Sequence, residues 1–189
     1  MHFVQLEIVA RHCRNVGRAC GRLIVKLFIV MISKRLEQEI NDQITAELWS
    51  AQIYLQMSFF LKKEGWNGFA KWMAEHSDEE KEHACKLGDF LVERGGEVRL
   101  DKIDVVPCGW GNVLEVFSHA YEHECHVSSL IDKLVDVAIA EKDKAAEDFL
   151  MGFVREQVEE EAVTSAMVES VKHAGTDALF FLDRELLAK

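Results

Sequence analysis

Two intervals of equal length constrain this chain most. Glu47 and Glu80 are 33 residues apart, and so are Glu124 and Gln157. Three residues beyond each second member stands another side chain able to bind a metal: His83 after Glu80, and Glu160 after Gln157. All of them interrupt apolar stripes with the 4-3 spacing of a helical bundle seam. The first stripe is Leu36, Ile40, Ile44, Glu47, Ala51, Tyr54 and Ser58, and the second is Phe69, Met73, His76, Glu80, His83, Leu87 and Phe90. The third is Leu114, Phe117, Tyr121, Glu124, Ser128, Ile131, Val135 and Ala138. The fourth is Ala146, Leu150, Phe153, Gln157, Glu160, Thr164, Met167 and Val171. Four helices packed along these stripes bring their polar interruptions to one depth.

The spacing predicts an all-α chain. Helices are expected over 33–64, with Ser33 as N-cap, then 67–94, 112–141 and 144–173, with a short fifth over 178–182. Gly65, Gly68, Gly95-Gly96 and Ala174-Gly175 fall at the breaks. Residues 97–110, which hold the chain's single proline Pro107, have no helical period. A gap of that length carries the chain along a bundle rather than round a tight hairpin. The expected architecture is a four-helix bundle with a long crossover between the second and third helices and a short C-terminal fifth. A length of 189 residues suits one domain with a sizeable core.

The interruptions point to a metal. Residues three apart on a helix share a face, so Glu80 and His83 can reach one ion. A bare buried carboxylate costs several kcal/mol, and a cation removes that cost. A single Glu-x-x-His arises readily by chance in acidic helices, and a lone polar seam residue is usually a satisfied core group. Four aligned interruptions are not explained that way. They match the di-metal carboxylate arrangement of bundle proteins, with the second Glu-x-x-His replaced by Gln-x-x-Glu. Carboxylate oxygens with one imidazole suit iron or manganese better than zinc or magnesium.

A second acidic set lies alongside: Glu79 precedes Glu80, and Glu156 and Glu159 flank Gln157. Glu156 and Glu160 are four apart and share a face. The spacing fits a third metal position and a solvated acidic face equally. Tyr54, two turns after Glu47, is placed either to hydrogen-bond a ligand carboxylate or donate an electron, or simply to pack. His76, one turn before Glu80, is placed to support the ligands. His119, His123, His126 and His173 read as surface or helix-end residues.

Residues 1–30 differ from the rest. Arg11, Arg14, Arg18, Arg22 and Lys26 stand there against Glu7 alone, in a chain of net charge −11. A signal peptide is disfavoured by Lys26 within the apolar run and by the lack of an Ala-x-Ala site. A basic arm for nucleic acid or membrane is a second reading. The plainest is that Met31 is the natural start. The five cysteines, Cys13, Cys20, Cys85, Cys108 and Cys125, form no Cys-x-x-Cys and fit a reducing cytoplasm. No stretch is long and apolar enough to suggest a membrane span.

Over about residues 31–189 the chain resembles a ferritin of the bacterial non-haem type. The resemblance is carried by Ala46-Glu47-Leu48-Trp49-Ser50 with Tyr54, and by Glu79-Glu80-Lys81-Glu82-His83. It continues through Tyr121-Glu122-His123-Glu124, Glu156-Gln157-Val158-Glu159-Glu160 and Phe181-Leu182-Asp183-Arg184-Glu185-Leu186. It implies a ferroxidase centre in which Glu47, Glu80 and His83 bind one iron. Glu80, Glu124 and Glu160 would bind the second, with Gln157 close by and Tyr54 beside the centre. It implies a third iron site at Glu79, Glu156, Glu159 and Glu160. It further implies a cytoplasmic, hollow homo-oligomer of twenty-four subunits that oxidises ferrous iron with O2 and stores Fe(III) as a hydrated oxide. No nucleic-acid or membrane partner is implied.

The departures from related families also carry meaning. Bacterioferritins have a second Glu-x-x-His and bind haem through a Met just after the first motif's Glu. Here those places hold Val163 and Lys81, which implies no haem. Mini-ferritins build their centre between subunits and lack the fifth helix, and rubrerythrins usually add a Cys-x-x-Cys domain. A non-enzymatic shell subunit is the alternative of another class. It would require a disabled centre, and no expected ligand is missing.

Overall fold

The computed structural model describes residues 31–188, apart from the side chains of residues 176 and 177. The basic extension 1–30, and the readings given to it, lie outside the described residues. Among the described residues the chain forms five helices and no strand. They are α1 (Lys34–Lys63), α2 (Asn67–Glu93), α3 (Val113–Ala140), α4 (Lys144–His173) and α5 (Thr176–Ala188). The first four pack as a bundle, α1 mainly on α2 and α3 mainly on α4.

Local chemistry sets the ends. Ser33 Oγ accepts from the Leu36 N–H at 3.2 Å, and Asn112 Oδ1 from the Glu115 N–H at 3.0 Å. These side-chain oxygens satisfy amide groups that have no partner within the first turn. Asp143 caps α4 through the Ala146 N–H and also holds the Arg94 guanidinium through two bonds, at 3.1 and 2.8 Å. That pair ties the end of α2 to the start of α4. Gly65 takes φ +91° in the α1–α2 turn, a conformation L side chains rarely adopt.

The crossover is pinned rather than loose. Asn41, fully buried on α1, donates to the Glu97 carbonyl at 3.0 Å and accepts from the Arg99 N–H at 2.6 Å. Further on, Val106 and Trp110 pack into the core.

That core is split. One apolar cluster includes Leu36, Ile40, Ile44, Leu87, Ile131 and Leu150; the other includes Met57, Leu61, Phe69, Met73 and Phe117. Each fully buried Leu, Ile or Phe contributes about 1.5–3 kcal/mol. Between the clusters, in sequence along each of the four bundle helices, lie the buried polar residues Glu47, Glu80, His83, Glu124 and Gln157. The apolar blocks at either side hold a polar layer that would not assemble on its own.

Two expectations need correction. On α3 the seam runs through Val113, Phe117, Ala120, Glu124, Val127, Ile131, Leu134 and Ala138, all buried. Leu114, Tyr121, Ser128 and Val135, expected in the seam, lie on its half-buried shoulder. The fifth helix is also longer than 178–182. Leu179, Leu182 and Leu186 all pack against the second cluster. The carboxylate of Asp183 is buried, and its Oδ1 accepts from the Phe69 N–H at 2.9 Å. α2 has no side-chain cap of its own at Trp66, so α5 supplies one. The approach is so close that a Cβ on Gly68 would lie 1.7 Å from the Asp183 carbonyl oxygen.

Candidate metal centre

The centre begins with a buried carboxyl oxygen that has no protein partner. Glu47, 1% exposed, has its Oε1 held by the Gln43 amide at 2.8 Å. Its Oε2 is the one buried side-chain oxygen or nitrogen among the described residues without a hydrogen bond. Such groups are rare in native structures and call for an explanation. Glu80 and His83 supply it: each of the three residues offers a ligand atom within 4.8 Å of the others. His83 Nδ1 lies 3.4 Å from Glu80 Oε2, and its Nε2 lies 3.4 Å from Glu156 Oε2.

Burial pushes the Glu47 carboxyl well above its ordinary range, and the neighbouring Glu80 adds to the effect. Burial likewise pushes Glu80 up to about 8. Carboxyls packed this closely away from water hold protons where a cation would otherwise sit.

Across the bundle, Glu124 is gripped from two sides. The Tyr54 phenol donates to Oε1, and the Gln157 amide donates to Oε2 at 3.2 Å. Burial raises the Glu124 carboxyl, and these two donors partly offset the rise. The Tyr54 hydroxyl is itself raised well above its usual value, by burial first and then by Glu124. Glu160 is half-buried with its Oε2 3.5 Å from His76 Nε2. The His76 ring holds that carboxyl below the usual range, against the opposing pull of burial.

The second acidic set also converges. Glu79, Glu156, Glu159 and Glu160 line one cavity of about 220 Å³ together with Glu82, His83 and Lys86. Within it Glu156 pairs with His83 and, at 3.4 Å, with Lys86. Glu79 and Glu160 instead form a group with His76, whose ligand atoms all lie within 4.8 Å of one another. Glu159 is exposed.

Sequence reasoning missed two supports. Gln43 carried a signal, being one turn before Glu47. His123, expected at the surface, is instead half-buried. Its ring packs against Trp49 and Tyr54, with centroids 5.5 and 6.0 Å apart. Burial, with His126 nearby, lowers it to about 4, so it is neutral at physiological pH. Ser50 Oγ donates to the Ala46 carbonyl at 3.1 Å, so His123 Nε2, 2.8 Å away, donates to Ser50. His119, His126 and His173 are exposed, as expected.

The chain as a whole has known relatives. Residues 37–174 match the family model described as a ferritin-like domain. A bacterial non-heme ferritin of Bacteroides fragilis (strain 638R) is 56% identical over 156 residues, 82% of this chain and 98% of that protein. This chain belongs to the ferritin family. A probable bacterial non-heme ferritin-like protein of Haemophilus influenzae is 35% identical over 158 residues, 82% of this chain and 96% of that one. Among solved structures, an Archaeoglobus fulgidus ferritin engineered into a closed form superposes with a TM-score of 0.81 at 43% identity. That match covers 82% of this ferritin and 96% of the archaeal chain.

Proposed function

We propose that this ferritin stores iron. In this reading it binds Fe(II) at a di-iron ferroxidase centre within each subunit and oxidises it with O2. Two Fe(II) ions give up two electrons, and O2 with two protons leaves as hydrogen peroxide. The Fe(III) product passes inward to a hydrated oxide mineral. The observation that carries the reading is the buried, unpartnered Glu47 Oε2 beside Glu80 and His83. Glu47, Glu80 and His83 hold the first iron, and Glu80, Glu124 and Glu160 hold the second. Gln157 and Tyr54 orient Glu124 by hydrogen bonds. Glu79, Glu156, Glu159 and Glu160 form a third position lining the acidic cavity, a waypoint for product.

The folding unit in this reading is 31–189, and the working form is a cytoplasmic shell of twenty-four copies. Exposed apolar side chains support assembly: Val105 is 95%, Leu100 72% and Phe181 70% exposed on the single chain. Cys85, Cys108 and Cys125 are free thiols. Among the described residues no helix is long and apolar enough to cross a membrane. No haem is proposed, because Lys81 pairs with Asp78 at 2.8 Å and offers no thioether.

The test is Fe(II) oxidation in air by wild type and by Glu80→Ala with His83→Ala. The wild type is expected to oxidise two Fe(II) per subunit rapidly, and the variant to fall to near the uncatalysed rate. An unchanged rate for sub-stoichiometric Fe(II) would remove the centre from these residues. Oxidation absent from both proteins would make the shell a passive container.

A further inference from the structure

The acidic cavity between α2 and α4 has a counterpart of opposite chemistry between α1 and α3. That second cavity, of about 360 Å³, is lined by Ala46, Trp49, Ser50, His123, Val127 and Leu130, with the exposed His126 at its rim. We infer that it is a docking site for O2, the apolar gas consumed in the proposed reaction, and that O2 approaches the centre from this side of the bundle.

The lining suits a small uncharged molecule. No carboxylate, lysine or arginine takes part in it. The Ser50 hydroxyl is already engaged, donating to the Ala46 carbonyl at 3.1 Å and meeting His123 Nε2 at 2.8 Å. A guest is therefore met mainly by the Trp49 ring and the side chains of Ala46, Val127 and Leu130. A hydrated cation would shed water there without gaining a carboxylate, which is costly. O2 has no charge to desolvate, and apolar surroundings favour it over water. The cavity between α2 and α4 is lined instead by Glu79, Glu82, Glu156, Glu159 and Glu160. The two faces of the bundle thus suit the two substrates separately.

Position argues for the same assignment. Ala46 and Ser50 bracket Glu47 on α1, and His123 and Val127 bracket Glu124 on α3. The His123 ring lies between Trp49 and Tyr54, with centroids 5.5 and 6.0 Å away, and the Tyr54 hydroxyl donates to Glu124. One ring therefore stands between the cavity and a side chain bonded to a proposed iron ligand.

This inference rests on the proposed oxidation of Fe(II) by O2, and its test separates the two. Crystals of the full-length protein are pressurised with xenon, a gas that enters apolar cavities. A xenon peak is expected between Trp49 and Leu130. In solution, protein loaded anaerobically with Fe(II) is mixed with O2 or with hydrogen peroxide, a polar oxidant. Leu130→Trp fills the cavity from its half-buried side, so kcat/KM for O2 should fall about tenfold while kcat at saturating O2 is kept. Its Fe(II) affinity and its rate with hydrogen peroxide should match wild type. Xenon pressure on wild type should slow the O2 reaction and spare the peroxide reaction, which decides the matter even if Leu130→Trp fails to fold. A map without xenon in the cavity overturns the inference. So does an O2 dependence that neither xenon nor Leu130→Trp alters, and so does an equal slowing with both oxidants, which would mean that filling the cavity disturbs the centre itself. Each of these leaves the proposed oxidation standing. Wild type that oxidises no Fe(II) with O2 would sink that reaction and this inference with it.

Discussion

Tyr54 on α1 donates its phenolic hydrogen to the Glu124 carboxylate on α3, and both side chains are buried from water. The bond spans 70 residues of sequence and joins the two halves of the bundle at the depth of the proposed metal ligands. It does two things at once. It satisfies a hydroxyl that would otherwise be buried without a partner, and it leaves Glu124 oriented towards the centre. It also favours the ionised carboxylate, the form a metal needs.

Tyr54→Phe is therefore expected to weaken the proposed second iron position while leaving the proposed first near wild type. A hydrogen bond to a charged group contributes about 1.5–3 kcal/mol, so the second Fe(II) should bind about tenfold more weakly or worse. Anaerobic Fe(II) titration followed by calorimetry reads the two steps separately. Two unchanged affinities would make Tyr54 a packing residue.

Glu47→Gln should stabilise the metal-free protein while destroying its response to metal. The wild-type side chain buries an oxygen with no partner, a state that costs about 1–3 kcal/mol. An amide of the same shape cannot ionise and offers donors to Glu80. The metal-free variant should melt a few degrees higher, at about 2–4 °C per kcal/mol for a chain this long. Zinc should raise the melting temperature of wild type and leave the variant nearly unmoved. Thermal melts with and without zinc check both halves.

The pH dependence has a definite sign. Glu80 ionises near 4.5 in an unfolded chain and at about 8 in the folded, metal-free one. Glu47 and Glu124 shift upward as well, burial being the first cause in each. Across that window the native state holds protons that the unfolded state has lost. Stability of the metal-free protein should therefore fall as pH rises from about 4.5 to about 8. Asp143, lowered by Arg94, works the other way and loses its contribution only as the solution becomes strongly acid. Metal binding must expel the extra protons, so zinc affinity should climb from pH 6 to pH 8 with measurable proton release. A pH-independent affinity would mean that the carboxylates are already ionised in the empty centre.

The polar layer was legible in the sequence because carboxylates, His and Gln are conspicuous inside an apolar stripe, and the repeated interval aligned them. The phase of α3 was not. Val113 and Leu114, or Leu134 and Val135, are neighbours of equal hydrophobicity, and a 4-3 stripe drawn through either member looks the same. Only packing against the other helices chooses between them. His123 failed for a related reason. Its burial comes from the Trp49 ring and the Ser50 hydroxyl on a different helix, contacts that no period along α3 reports. The end of α5 was hidden by Asp183-Arg184-Glu185, which reads as a polar stop. Asp183 is instead the buried cap of a helix that begins 116 positions earlier, at Asn67.

That cap yields the last prediction. The first turn of α2 depends on α5 for an acceptor, and Gly68 permits the approach by having no Cβ. Asp183→Ala removes the acceptor from the Phe69 N–H and should cost about 1 kcal/mol, the usual loss for a helix cap. Gly68→Ala should cost more, although alanine is the better helix former. Its methyl would meet the Asp183 backbone oxygen at 1.7 Å and its carbonyl carbon at 2.6 Å. These are backbone atoms that cannot rotate aside, so α5 as a whole must lift from the bundle. Lifting it would expose Leu182 and Leu186, now packed on the second apolar cluster. Limited proteolysis should cut Gly68→Ala near residues 174–176 well before wild type, while the proposed di-iron ligands, in the separate polar layer, still bind zinc. If Gly68→Ala melts and resists protease as wild type does, α5 is not seated on the start of α2.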